Sequence, residues 1–197
     1  MAGEKGRDKG NGTRARILNA ALEVVRECGL EDLSTRAIAR RTGLTQPAIY
    51  RHFTGVEEIV RETLACIRDL FAERLATSDR KGDPRENLLA ALDCFRDFAI
   101  REPRLYDALF LRTGNGVPVP VTSDTRTPNI FAHIVERVTA CARDGVIRPA
   151  GPVGSALSLI AHSQGLILMF RQGRFGSGER FSETYSRSMQ DLLRGLS

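Results

Sequence analysis

The chain has 197 residues, 42% of them hydrophobic and 27% charged, and carries a formal net charge of +5 at pH 7. That is enough material for one compact unit, or for a small domain joined to a larger one, and the modest positive charge suits an anionic partner without naming it. Four widely spaced cysteines (Cys28, Cys66, Cys94, Cys141) form no CxxC pair, which argues against a disulfide framework or zinc site and for a reduced, cytoplasmic setting; each reads as a small core residue, with a redox-sensing thiol as the alternative.

In chain order, residues 1–12 read as a disordered basic arm and lack the apolar core of a signal peptide. Thr13 is the expected N-cap of a first helix reaching Cys28, on the apolar spacing Ile17, Ala21, Val24, Val25, with Gly29 ending it. Ser34 caps a second, shorter helix through Arg41, and Thr42-Gly43-Leu44 forms a tight turn. Thr45 caps a third helix through about Phe53, with Pro47 in its first turn, where a missing N–H costs little. After Gly55 the pattern lengthens. Helices are expected at about 56–77, 84–101 and 103–112, a Gly- and Pro-containing loop at 113–126, and further helices at about 128–144, 152–173 and 179–196. No strand-like alternation of useful length occurs. The stretch Ala156–Phe170 is too short and too often interrupted by polar residues to span a membrane. The fold class is therefore all-α with about nine helices: the arm (1–12), a three-helix domain (13–55) and a larger helical domain (56–197).

Charge singles out one window. Residues 33–54 hold Arg36, Arg40, Arg41 and Arg51 and no acid, as a phosphate-facing surface requires, although a solvated basic helix face would look alike. In the same window two short helices meet at a turn centred on Gly43. Ile38, Ala39, Leu44, Ile49 and Phe53 can point inward against Val24, Val25 and Leu33. That is helix-turn-helix geometry, in which a small core holds the second helix so that its outer face enters a major groove. Its outer face starts Thr45, Gln46, Pro47, Ala48. Gln reads adenine bidentately, Thr bonds either way, and Ala or Pro touches a thymine methyl. Tyr50, Arg51 and His52 suit phosphates or bases, and Thr35 and Arg36 sit at a helix N-terminus placed for a phosphate. An ordinary αα-hairpin with exposed polar residues shares this spacing.

Residues 13–60 resemble the DNA-binding domain of the tetracycline-repressor family. The likeness is carried by Ile17-Leu18-x-Ala20-Ala21, Ile38-Ala39-x-x-x-Gly43-Leu44 and Ala48-Ile49-Tyr50-Arg51-His52-Phe53, with Gly29 in place. The resemblance implies an all-α homodimer paired through its last two helices. It implies a recognition helix at Gln46–His52 with DNA contacts at Thr35, Arg36, Thr45, Gln46, Pro47, Tyr50 and His52. Such proteins usually place a lysine near the start of the fourth helix; this chain has Thr54-Gly55-Val56-Glu57, so the Gly55 amide or Arg51 would have to replace that phosphate contact. Residues 98–110 and His162-Ser-Gln-Gly165-Leu resemble a ligand-binding subgroup of the family marked by a Trp…His-Gly motif, but this chain has no Trp and separates its His from its Gly.

The family implies an effector pocket in the second domain. Candidate lining residues are Ile67, Phe71, Phe95, Phe98, Tyr106, Phe110, Phe131 and His162, although aromatic stripes at this spacing also make plain core. Few charges interrupt them, which favours a small, largely apolar effector. The expected partners are thus a palindromic double-stranded DNA operator, that effector and a second copy of the chain, with no membrane, cofactor or metal; His52, His133 and His162 have no ligand spacing. Two other classes compete: a helical enzyme using Tyr106, His133 or His162, for which no nucleophile elbow, phosphate loop or acid/base pair is present, and an architectural module binding DNA irrespective of sequence.

Overall fold

The computed structural model describes residues 4–78, 82–111, 130–147 and 151–196. Among these residues it has nine α-helices and no strand: α1 Glu4–Cys28, α2 Thr35–Thr42, α3 Gln46–Tyr50, α4 Val56–Thr77, α5 Pro84–Arg101, α6 Pro103–Tyr106, α7 Ile130–Arg143, α8 Pro152–Arg171 and α9 Gly178–Arg194. One π-helical turn, Asp107–Leu111, continues α6. The loop expected at 113–126 lies outside the described residues.

The stops and starts follow the local chemistry. Gly29 takes φ +102° and donates to the Val25 carbonyl at 2.9 Å, closing α1. Ser34 caps α2, its Oγ accepting from the Ala37 N–H at 3.2 Å. Thr13, by contrast, lies inside α1 and not at its start: α1 runs back to Glu4, because no proline bars residues 4–12 and extending a formed helix is cheaper than nucleating one.

Two compact units result. The first holds α1–α3, α4 up to Leu70, and α6 with its π-helical turn. Its core is built on Ile17, Val25, Ile38, Ile49, Phe53, Ile59, Ile67 and Tyr106, each exposed by 2% or less. The second holds the end of α4 from Phe71, then α5, α7, α8 and α9. There Phe71 lies 4.9 Å from Phe95 and 5.1 Å from Phe98, ring centre to ring centre. Burying three such rings stabilises this unit by roughly 1.5–3 kcal/mol each. Tyr185 crosses the unit: its hydroxyl donates to the Leu92 carbonyl at 2.6 Å and meets Ser163 Oγ at 2.6 Å, joining α5, α8 and α9. Arg137, buried on α7, donates to the carbonyls of Leu75 (3.1 Å) and Asn87 (3.3 Å), placing a cation at the C-terminal end of α4 where the helix dipole favours one.

α8 ends at Arg171, two residues short of the 152–173 expected. Its 20 residues have a mean hydropathy of 1.5 over their most apolar window, enough by length and composition to cross a bilayer. Its inner edge, Ala156, Leu159, Ser163 and Ile167, is buried in the helical bundle. Its outer edge exposes Val153, Leu157, Leu168 and Met169 with small residues between them (Gly154, Ser158, Ala161, Gly165). The outer edge of α9 is instead polar. Among the cysteines, burial pushes the Cys66, Cys94 and Cys141 thiols up, Cys141 to about 11. Cys28 is exposed at the end of α1, so the reading of all four as core holds only in part.

Candidate nucleic-acid interface

The α2–α3 wedge is assembled around one left-handed residue. Gly43 takes φ +68°, its N–H bonding to the Ala39 carbonyl at 2.9 Å. Thr42 braces the same corner: its hydroxyl donates to the Ile38 carbonyl at 2.8 Å and its Oγ1 accepts from the Leu44 N–H at 3.3 Å. Arg16, reaching across from α1, donates to the Thr42 carbonyl.

α3 begins differently from expectation. Thr45 has the extended backbone of an N-cap, yet its side chain makes no capping bond. A capping oxygen serves the second or third amide of the helix. Here the second is Pro47, which has none, and the third, Ala48, bonds to the Thr45 carbonyl at 3.0 Å. The exposed Thr45 hydroxyl is left to face outward. α3 also ends early, at Tyr50 rather than Phe53. The His52 and Phe53 N–H groups both turn back to the Ile49 carbonyl (2.9 and 3.2 Å), which buries Phe53.

Thr45, Gln46, Pro47, Tyr50 and Arg51 are exposed, as is Arg36; His52 is half-buried. Two candidates sit elsewhere. Ala48 is only 9% exposed and belongs to the inner face with Ile49, because one 100° step along so short a helix carries it past the rim. Thr35, also 9% exposed, is tucked under the start of α2. Of the four arginines, Arg41 is engaged: it pairs with Glu27, which holds the Glu27 carboxyl below its usual range and raises the guanidinium. Arg36, Arg40 and Arg51 are exposed.

Sequence reasoning missed a cluster at the start of α4. Arg14 on α1 pairs with Glu62 and, at 3.2 Å, with Glu58, while its guanidinium lies 4.4 Å above the Phe53 ring. Glu58 also accepts the Thr54 N–H at 2.6 Å and the Thr54 hydroxyl at 2.8 Å, and these bonds lower its pKa. The Thr54 amide is therefore occupied, and Glu57 folds back to within 2.9 Å of where a Gly55 side chain would start. The carboxylates of Glu57 and Glu58 thus stand beside Gly55 and Thr54 at the start of α4. The only hint in the sequence was that Glu58 and Glu62 share a helix face; their partner is 44 and 48 residues away.

The effector candidates fall in both units. Phe71, Phe95 and Phe98 pack on one another in the second unit, where Phe131 is half-buried and His162 Nε2 lies 2.7 Å from Ser188 Oγ. Ile67, Tyr106 and Phe110 belong to the first, where the Tyr106 and Phe110 rings are 4.8 Å apart. The first unit also has a cleft of about 380 Å³ lined by Gly29, Leu30, Glu31, Arg104, Asp107, Ala108 and Leu111, none of them a candidate. Among the described residues no cluster of His, Cys, Asp or Glu is arranged to hold a metal ion.

Comparison with known proteins adds independent findings. Residues 17–63 match the family profile of bacterial regulatory proteins, tetR family, and residues 88–193 match a tetracyclin repressor-like C-terminal domain. An HTH-type transcriptional regulator of Bacillus subtilis, YobS, is 25% identical over 93% of this chain and 92% of its own. The tetracycline repressor protein class A from transposon 1721 of Escherichia coli is 26% identical over 90% of this chain and 76% of its own. A TetR-family transcriptional regulator from Pectobacterium atrosepticum shares the fold with a TM-score of 0.69 at 21% identity, covering 96% of both chains.

Proposed function

Because the chain belongs to the tetracycline-repressor family, as a transcriptional regulator with a helix-turn-helix DNA-binding domain, we propose that it is a cytoplasmic repressor that a small, largely apolar effector releases from a palindromic operator. The observation that carries the DNA-reading part is the wedge itself. A buried core of Ile38, Ile49 and Phe53 holds a five-residue helix whose opposite edge presents Gln46, Pro47, Tyr50 and Arg51 to solvent. Gln46 and Thr45 read bases. Tyr50, Arg51, His52 and Arg36 hold phosphates, and the first amides of α2, beside Thr35, favour another. Ala48 serves the core.

Repression needs two wedges one helical turn apart on the duplex, roughly 34–36 Å. The exposed apolar edge of α8, notched by small residues, supports pairing with a second copy through α8 and α9. The similar repressor of transposon 1721 supports repression over activation. The effector meets the second unit's Phe71, Phe95, Phe98, Phe131 and His162. The three packed phenylalanines fill their own space, so a ligand has to repack them, and that gives the two states of the protein different affinity for it.

Selection of bound sequences from random duplex DNA tests this reading: a palindromic consensus is expected. Gln46→Ala then relaxes base preference at one position per half-site, at a cost of about 1–3 kcal/mol. Binding with no consensus and a steep salt dependence would instead identify an architectural protein.

A further inference from the structure

α3 is five residues long, and its N-cap side chain makes no capping bond. A helix this short does not hold itself together in water, where about 12–15 residues are marginal. Its orientation must be imposed from outside, and its two ends show how. Just before α3, the Thr42 carbonyl accepts from Arg16. Just after it, the Phe53 ring lies 4.4 Å under the Arg14 guanidinium. The same Arg14 holds Glu58, and Glu58 holds both the N–H and the hydroxyl of Thr54. Both arginines stand on α1, two residues apart, and each grips one end of the segment that carries α3.

We propose that Arg14 and Arg16 are positioning residues for DNA reading: they fix α3 from both ends and set the angle at which Gln46 and Tyr50 meet a duplex, without touching the duplex themselves. This rests on the reading of α3 as the base-contacting helix. The guanidinium group is what the geometry requires. Arg14 spreads its nitrogens over two carboxylates while offering its flat face to a ring, which a lysine ammonium cannot do. Neither residue is a base contact, so neither chooses a sequence. Loosening either one lets α3 sample angles, which costs the operator complex its base hydrogen bonds. Random duplex, held by phosphates, loses little.

The test compares Arg14→Gln, Arg16→Gln, Arg14→Lys and Arg16→Lys with the wild type, each binding the selected operator and a random duplex over a salt series, below its melting temperature. Each glutamine variant is expected to bind the operator about tenfold more weakly, the factor carried by one charge-assisted hydrogen bond. Random-duplex affinity falls no more than about twofold, the effect of one charge some 10 Å away in water. The lysine variants keep the charge, so their loss falls on the operator alone. An equal loss on both duplexes, with the salt slope reduced by about 0.9, means that the arginine contacts a phosphate and overturns the proposal. Unchanged operator affinity alongside a lower melting temperature overturns it too, because the residue then only supports the fold. If the glutamine variants do not fold, the lysine variants decide. A wild type without operator preference defeats the underlying reading of α3; a wild type with preference and four variants that keep it defeats only this inference.

Discussion

Replacing Tyr185 by Phe removes a single oxygen from the interior of the second unit. The proton count there is constrained. The Leu92 carbonyl can only accept, so the Tyr185 hydroxyl donates to it, and Ser163 must donate its own proton to the Tyr185 oxygen. Tyr185 is 0% exposed and Ser163 0%, so no water replaces the lost partner. The Leu92 carbonyl keeps its bond within α5, which leaves the Ser163 hydroxyl as the main orphan. Two net hydrogen bonds are lost and one buried donor is stranded, a cost of about 1–3 kcal/mol. For a protein of this size that lowers Tm by about 2–4 °C per kcal/mol. Ser163→Ala, which leaves the Tyr185–Leu92 bond in place, costs about 1 kcal/mol. The double variant then costs less than the sum, with a coupling of about 0.5–1 kcal/mol. The assay is denaturant and thermal unfolding of all four proteins at one fixed protein concentration, because a second copy bound to the folded state would shift Tm by mass action. Strict additivity, or a Tyr185→Phe variant as stable as the wild type, would refute this account of the α5–α8–α9 junction.

Gly43→Ala has open space for its new methyl, so its cost is left-handed backbone strain alone, about 1–2 kcal/mol in chemical unfolding, and Gly43→Asn costs less. Equal stability for Ala, Asn and Gly would contradict the +68° conformation. The Glu58 carboxyl lies below its usual value of 4.5 in the folded protein, so its stabilisation is present above that value and lost as pH falls through the lowered one. Thermal melts from pH 6 to 3 should therefore fall more steeply for the wild type than for Glu58→Gln; parallel curves would show that the Thr54 bonds do not form. Leu157→Glu puts a charge on the apolar edge of α8, and light scattering should then report a single-chain mass where the wild type reports twice that. A variant that stays paired would place the interface elsewhere.

Much of the fold was legible because its punctuation is chemical. Ser34 and Gly43 bound α2, and Gly55 and Pro84 mark where α4 and α5 begin; both long helices came out with the expected ends, Val56–Thr77 and Pro84–Arg101. Where punctuation is missing the reading slipped. No glycine or proline separates Tyr50 from Phe53, so the end of α3 was placed three residues late. The site was legible in its exposed edge and not in its supports. Residue type and spacing on one helix mark Gln46 and Tyr50 as outward, but Arg14, Arg16, Glu58 and Glu62 act through partners up to 48 residues away, and nothing in a single sequence pairs them. Ala48 went to the wrong face because on a helix this short the boundary between inside and outside is one residue wide.

The two N-caps of the wedge divide a task that one residue usually carries alone. Ser34 is committed to its helix, and any change there is charged to stability. Thr45 is not, because Pro47 offers no amide and the Ala48 N–H bonds to the Thr45 carbonyl instead. Its hydroxyl can be exchanged for other chemistry with almost no loss of scaffold. On the proposed reading of α3 as the base-contacting helix, Thr45 is then a position through which operator preference can drift over generations, or be redirected by design, while the rest of the protein stays as it is.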